Sequence, residues 1–183
     1  MSRPSFASPA TRVRLGSALL LAGLAAPALA DVAAPQDTPY APGTIALQVD
    51  ASDLGQRIFR VRETIPVAAG ALTLLYPQWL PGNHSPSGPI DKLAGLKVSA
   101  NGKELKWTRD PLNVYAFHVD VPQGASSVDV EFQFLSPQDA RQGRVVMTPE
   151  MLNLQWNTVT LYPAGYVAAR IQAEASVKFP AGW

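Results

Sequence analysis

Val128-Asp129-Val130-Glu131-Phe132-Gln133-Phe134 alternates strictly, with every even position apolar and every odd position polar. Successive side chains of a β-strand point to opposite faces of the sheet, so this stretch predicts a strand with one buried and one wet face. The same period runs through residues 170–179, where Ile171, Ala173, Ala175, Val177 and Phe179 form the apolar set ahead of Pro180. It appears again in residues 114–120, where Tyr115, Phe117 and Val119 share a face and His118 points with Asp120 to the other. Looser candidates are residues 44–50, 57–65, 71–76, 96–100, 104–108 and 152–160.

From Thr44 onward no stretch repeats apolar residues at i, i+3, i+4 and i+7 over a helical length, so the period decides for sheet. About nine strands are expected. Asn101-Gly102 sits between strand-like runs, and both central residues of a type I′ turn need φ > 0, which predicts an antiparallel hairpin there. With 17 prolines and 13 glycines as punctuation and no helix to carry a parallel crossover, the expected class is all-β: an antiparallel β-sandwich or curved open sheet.

The first thirty residues read differently. Arg3, Arg12 and Arg14 precede an uncharged run from Leu15 to Pro27, and Ala28-Leu29-Ala30 follows before Asp31. A basic start, a short apolar stretch and a small-x-small site predict a signal peptide (1–30) cleaved after Ala30. The run is too short to cross a bilayer, which needs roughly 20 residues. The expected location is periplasmic or secreted, with no membrane association after cleavage. Residues 31–43 carry Pro35, Pro39, Pro42 and Gly43 and read as a flexible leader, leaving 44–183 as a β domain.

Of 183 residues 47% are hydrophobic and 16% charged, a globular composition. The mature length is enough to bury about two thirds of the unfolded surface without a metal or disulfide staple. Without the three signal-segment arginines, the 15 basic residues become 12 against 14 acids, a net charge of −2. No basic run is present, so nucleic acid is not an expected partner. The chain has no cysteine, which excludes thiolate zinc sites, disulfides and cysteine nucleophiles.

Catalytic signatures are scarce. There are two histidines, His84 in an expected loop and His118 in an expected strand, and no His-Glu-x-x-His, Gly-x-Ser-x-Gly or phosphate-loop pattern. His118 reads as a residue on the polar side of a sheet. Asp129 and Glu131 read as the solvated face of their strand rather than as paired catalytic carboxylates. No catalytic or metal-binding residue is therefore expected in this chain, and no cofactor.

One segment stands apart: Tyr76-Pro-Gln-Trp79-Leu-Pro81-Gly82-Asn83-His84-Ser-Pro86-Ser-Gly88-Pro89. Each proline fixes its own φ and restricts the residue before it, so this is a stiffened loop suited either to hold binding groups or to plug the end of a sandwich.

Residues 76–84 with Gly88-Pro-Ile-Asp-Lys-Leu-Ala-Gly95 resemble the Pro-x-Trp-x-Pro-Gly signature in the N-terminal domain of the glycyl aminopeptidase family, zinc metallopeptidases of the thermolysin-like clan. The runs 107–118 and 147–156 are similar to bacterial members, and the likeness covers essentially all of 44–183. The resemblance implies an N-terminal β domain ahead of a helical domain with a His-Glu-x-x-His zinc site, often followed by a PDZ-like domain. It transfers no catalytic role, since that motif is absent from these residues; zinc is expected only in a catalytic domain beyond them, and the chain is expected to be a fragment of a longer peptidase.

Two functions follow as expectations. The first is a non-catalytic domain that buttresses its own catalytic domain and lines the cleft, meeting peptide substrate only through that domain. Trp79, Asn83, His84, Asn153, Gln155 and Trp156 are its candidate interdomain or cleft-rim contacts. Indole and amide groups suit half-buried surfaces, although the favoured reading of Trp79 and Trp156 is that they are simply core. The second is a stand-alone periplasmic β-sandwich binding carbohydrate or protein. Architecture alone does not separate the two.

Overall fold

The computed structural model describes residues 34–183; the expected signal peptide and residues 31–33 of the expected leader lie outside them. Among the described residues twelve strands form, in chain order: β1 (Ile45–Asp50), β2 (Ile58–Pro66), β3 (Gly70–Leu75), β4 (Leu93–Ala100), β5 (Lys103–Leu105), β6 (Trp107–Arg109), β7 (Ala116–Val121), β8 (Ser127–Leu135), β9 (Met147–Thr148), β10 (Met151–Leu152), β11 (Tyr162–Pro163) and β12 (Ala173–Lys178). The helical turns among the described residues are 3₁₀ segments of three residues, and no helix among them is long and apolar enough to cross a membrane.

One sheet has the order β12-β1-β2-β8-β4-β5, a second the order β11-β3-β7-β6, and β9 and β10 form a small ribbon. The alternation that predicted β8 is realised: Val128, Val130, Phe132 and Phe134 are buried. They meet Val61, Ile65 and Phe59 of β2 beside them, and Leu74, Phe117 and Val119 from the second sheet, in one continuous core. All-β architecture is thus confirmed. The Asn101-Gly102 hairpin forms as read, with φ of 50° and 72° at its two turn residues and Val98 opposite Leu105.

Four details differ from the reading of the sequence. Pairing is not wholly antiparallel: β12 lies parallel to β1, with Ile45 opposite Ala173 and Asp50 opposite Lys178. Residues 104–108 do not form one strand. The chain leaves the first sheet after Leu105 and joins the second at Trp107, pairing with β7 instead of β4. Trp107 fixes this crossing: its indole packs edge-on to Phe117 at 5.6 Å while Nε1–H donates to the Leu96 carbonyl at 3.1 Å, so one side chain satisfies both sheets.

Residues 152–160 are mostly not strand either, because after Leu152 the chain turns through a 3₁₀ segment at Trp156–Thr158. Finally, β12 keeps its apolar alternation but buries it only in part: Val177 packs against the core. Ala173 and Ala175 are exposed although they share a face with the buried Ile45 and Leu47. β12 is the edge strand of its sheet, and Ala173 and Ala175 mark where the core ends along it.

Candidate functional site

The proline-rich loop after β3 is held at each end by backbone. Tyr76 N–H donates to the Tyr115 carbonyl at 2.8 Å, and Gly88 N–H to the Gln78 carbonyl at 2.9 Å. Trp79 and Pro86 form a β-bridge between the two limbs. At the tip Asn83 N–H donates to Leu80 O across Pro81-Gly82, and Gly82 has φ of 82°, the arrangement of a type II turn in which glycine supplies the positive φ. Asn83 Nδ2 donates to Ser87 Oγ at 2.7 Å. Gly88 is obligatory for a different reason: a Cβ there would lie 1.9 Å from the Pro77 carbonyl oxygen, so the two limbs touch only because the side chain is missing.

Two tyrosines brace the loop from beneath. The Tyr115 hydroxyl donates to the Pro86 and Gly88 carbonyls at 3.2 and 3.1 Å. The hydroxyl of fully buried Tyr76 donates to the Thr158 carbonyl at 3.0 Å, which ties the loop to the segment carrying Gln155 and Trp156. Burial holds the Tyr76 phenol well above its ordinary range, and the charge of Asp91 adds to this.

Two grooves flank the brace. A groove of about 570 Å³ is lined by residues that include Asn83, Ser87, Gln155, Asn157 and Arg144. The other, about 530 Å³, runs along Tyr76, Gln78, Trp79, Tyr115, Tyr162 and Ile171, and none of its lining residues is charged. Asn157 borders both. Of the six residues singled out from sequence, Asn83 and Gln155 meet on the first groove and Trp79 lines the second, while His84, Asn153 and Trp156 line neither. Trp79 is 64% exposed and Trp156 43%, so neither is core.

Two residues, His118 and Glu63, have surroundings that the sequence did not reveal. His118 is not merely one residue of a polar face: Nε2 lies 2.9 Å from Asp110 Oδ2 and Nδ1 lies 3.0 Å from Thr73 Oγ1. The His118 hydrogen bond, helped by backbone N–H groups of Leu112 and Asn113, holds the Asp110 carboxyl below its usual range. A hydroxyl, an imidazole and a carboxylate in a row resemble a nucleophile relay, but neither groove touches any of the three. Asp110 instead accepts from Leu112 and Asn113 N–H at 2.8 Å and shapes the turn that presents Tyr115.

Glu63 is the other surprise. It lies on the core face of β2 and is 2% exposed. Thr160 Oγ1 donates to it at 2.6 Å, and Leu161 N–H reaches both carboxyl oxygens at 3.0 and 3.1 Å. Burial pushes its pKa up to about 8 against the pull of those donors. The signal was present in the sequence, since Phe59, Val61, Glu63 and Ile65 share one parity.

Among the described residues no three His, Asp or Glu side chains converge so as to hold a metal ion. A catalytic zinc needs about three protein ligands, so the residues described here do not fit one, and His84 and His118 form no part of such a group.

Fold and site together define an all-β sandwich domain built around a braced aromatic loop. The chain belongs to the Peptidase M61 N-terminal domain family, whose model matches residues 46–183. No curated protein matches it. Among solved structures it is similar to an aminopeptidase N family protein from Idiomarina loihiensis, with a TM-score of 0.58 and 19% identity over 75% of this chain and 22% of that one. A weaker likeness, with a TM-score of 0.37 and 12% identity, is to a mutant M1 zinc metallopeptidase from Deinococcus radiodurans bound to a Tyr-Ser-Ala substrate, covering 78% of this chain and 32% of that one. The chain thus spans about a fifth of the length of the Idiomarina protein.

Proposed function

We propose that this chain is the non-catalytic N-terminal domain of an exported zinc metallo-aminopeptidase of the glycyl aminopeptidase type, buttressing a catalytic domain and forming part of its cleft rim. The observation that carries this reading is the braced loop. Tyr76, Tyr115 and Gly88 spend their interactions on rigidity while Trp79 and Trp156 stay exposed, and exposed indoles on a rigid frame are the composition of a contact surface. Zinc and peptide substrate belong, in this reading, to the catalytic domain alone. Nucleic acid is not a partner, and after cleavage at Ala30 the protein is periplasmic or secreted with no membrane attachment.

Reading the gene past codon 183 tests the proposal: an in-frame His-Glu-x-x-His segment is expected, and a stop codon directly after Trp183 would sink it. The 183-residue chain alone is expected to hold no stoichiometric zinc by elemental analysis and to leave glycyl p-nitroanilide uncleaved. Amino-terminal sequencing of the periplasmic fraction is expected to begin at Asp31.

The uncharged groove beside Trp79 favours a second reading, a stand-alone carbohydrate- or protein-binding module. Aromatic faces with amide side chains such as Gln78 and Asn157 suit neutral ligands. Saturable glycan binding by the purified chain would support this reading over the first.

A further inference from the structure

We infer that β12 is a self-recognition edge through which two copies of this chain pair antiparallel about a dyad at Ser176, fusing their six-stranded sheets into one. Among the described residues no strand pairs with the outer side of β12. The inner side is fixed: Ile45 N–H donates to Gln172 O and Ala51 N–H to Lys178 O. Because a strand turns successive peptide groups to opposite sides, Gln172, Glu174, Ser176 and Lys178 direct their backbone groups to β1. Ala173, Ala175, Val177 and Phe179 therefore present theirs to the open edge. An exposed row of this kind is a template for another strand.

The sequence of β12 selects the partner and the register. Centred on Ser176, an antiparallel second copy sets Ala175 opposite the partner's Val177 and Ala173 opposite the partner's Phe179. All are residues with outward backbone groups, so they form the hydrogen-bonded pairs. The same register sets Glu174 directly opposite the partner's Lys178, twice by symmetry. Moving the centre to Ala175 or Val177 places a serine opposite one of these charges, and centring between residues sets outward groups against inward ones. Charge complementarity therefore picks one register, and the contact is isologous, as a two-fold dimer requires.

Both charges are available. Glu174 is exposed, and Lys178 is 71% exposed, with Nζ 3.4 Å from its own Asp50, on a surface that also carries Arg60 and Arg62. On the core-side face the partner's Phe179, 48% exposed here, would lie over Ala173, which the second sheet leaves uncovered. β5, the opposite edge of the sheet, has three residues against six in β12 and lacks such a palindrome of charge.

The cysteine-free chain makes the test direct. In the inferred dimer two copies of residue 176 form a non-hydrogen-bonded pair with Cα atoms about 4.5 Å apart, inside the range of roughly 4.4–6.8 Å that a disulfide spans. Ser176→Cys in the full chain is expected to oxidise rapidly to a linked dimer, while Glu174→Cys and Lys178→Cys, each opposite a non-cysteine, stay largely unlinked. By analytical ultracentrifugation the parent chain is expected to approach twice its monomer mass with rising concentration. Glu174→Lys and Lys178→Glu are each expected to weaken the dimer at least about tenfold, since like charges then face each other, and mixing the two variants is expected to restore it. Val177→Pro, which removes an outward N–H and none used by β1, is expected to leave a folded monomer. A parent chain that stays monomeric throughout, or a dimer indifferent to the charge reversals and cross-linked equally well at 174, 176 and 178, overturns the inference.

Discussion

The Tyr76 hydroxyl and the Thr158 carbonyl, 3.0 Å apart and 82 positions apart in the chain, join the two segments from which the candidate surface is built. Tyr76 is fully buried and its phenol stays protonated under all ordinary conditions, so the bond is a permanent strut. Tyr76→Phe leaves the Thr158 carbonyl without this donor in a dry site, which typically costs about 1–3 kcal/mol. Urea unfolding should show the loss as a lower midpoint with an unchanged slope.

Gly88→Ala tests the close approach of the loop's two limbs. The new Cβ would overlap the Pro77 carbonyl, a backbone atom that cannot swing aside, so the Trp79–Pro86 bridge must open. A destabilisation above about 1 kcal/mol is expected, with the Trp79 indole resonance shifted in the NMR spectrum. Full stability would show that the loop tolerates separation of its limbs.

Trp79→Ala and Trp156→Ala, in contrast to Gly88→Ala, should both leave stability nearly unchanged. Both side chains are largely exposed, and such substitutions usually stay within about 0.5 kcal/mol. Thermal midpoints close to the parent's are expected for both, and a large drop for either would mean that its indole supports the core and not a contact surface.

Glu63 gives the protein a pH signature of unusual sign. In the unfolded chain the carboxyl ionises near its ordinary value of 4.5, and in the folded chain near 8. Between these values the folded state holds more protons, so this group's contribution to stability falls as pH rises, by at most about 1.4 kcal/mol per pH unit. Asp50 and Asp110, whose carboxyls sit below their usual range, act in the opposite sense but only in acid. Glu63→Gln should flatten the decline between pH 4.5 and 8, measured by denaturant midpoints; a slope identical to the parent's would place the ionised form in the core.

Much of this was legible in the residues. Parity alone placed Val128, Val130, Phe132 and Phe134 inside, Asn101-Gly102 announced its hairpin by the φ values it permits, and four prolines marked the loop at 76–89 as rigid. These are local properties, decided within a few residues of chain. What parity could not say is how far the opposing sheet extends, and so Ala173 and Ala175, patterned for burial, lie bare at an edge.

The remaining features arise where distant segments meet, and there the tertiary structure decided. Lys106 became a passage between sheets because Trp107 finds Phe117 and Leu96 at once. Glu63 was sealed from water by Thr160 and Leu161, nearly a hundred residues downstream, and His118 gained Thr73 from the neighbouring strand β3 and Asp110 from the turn after β6. Side-chain period follows from the geometry of one strand, whereas burial, pairing and protonation depend on what the rest of the chain packs against it.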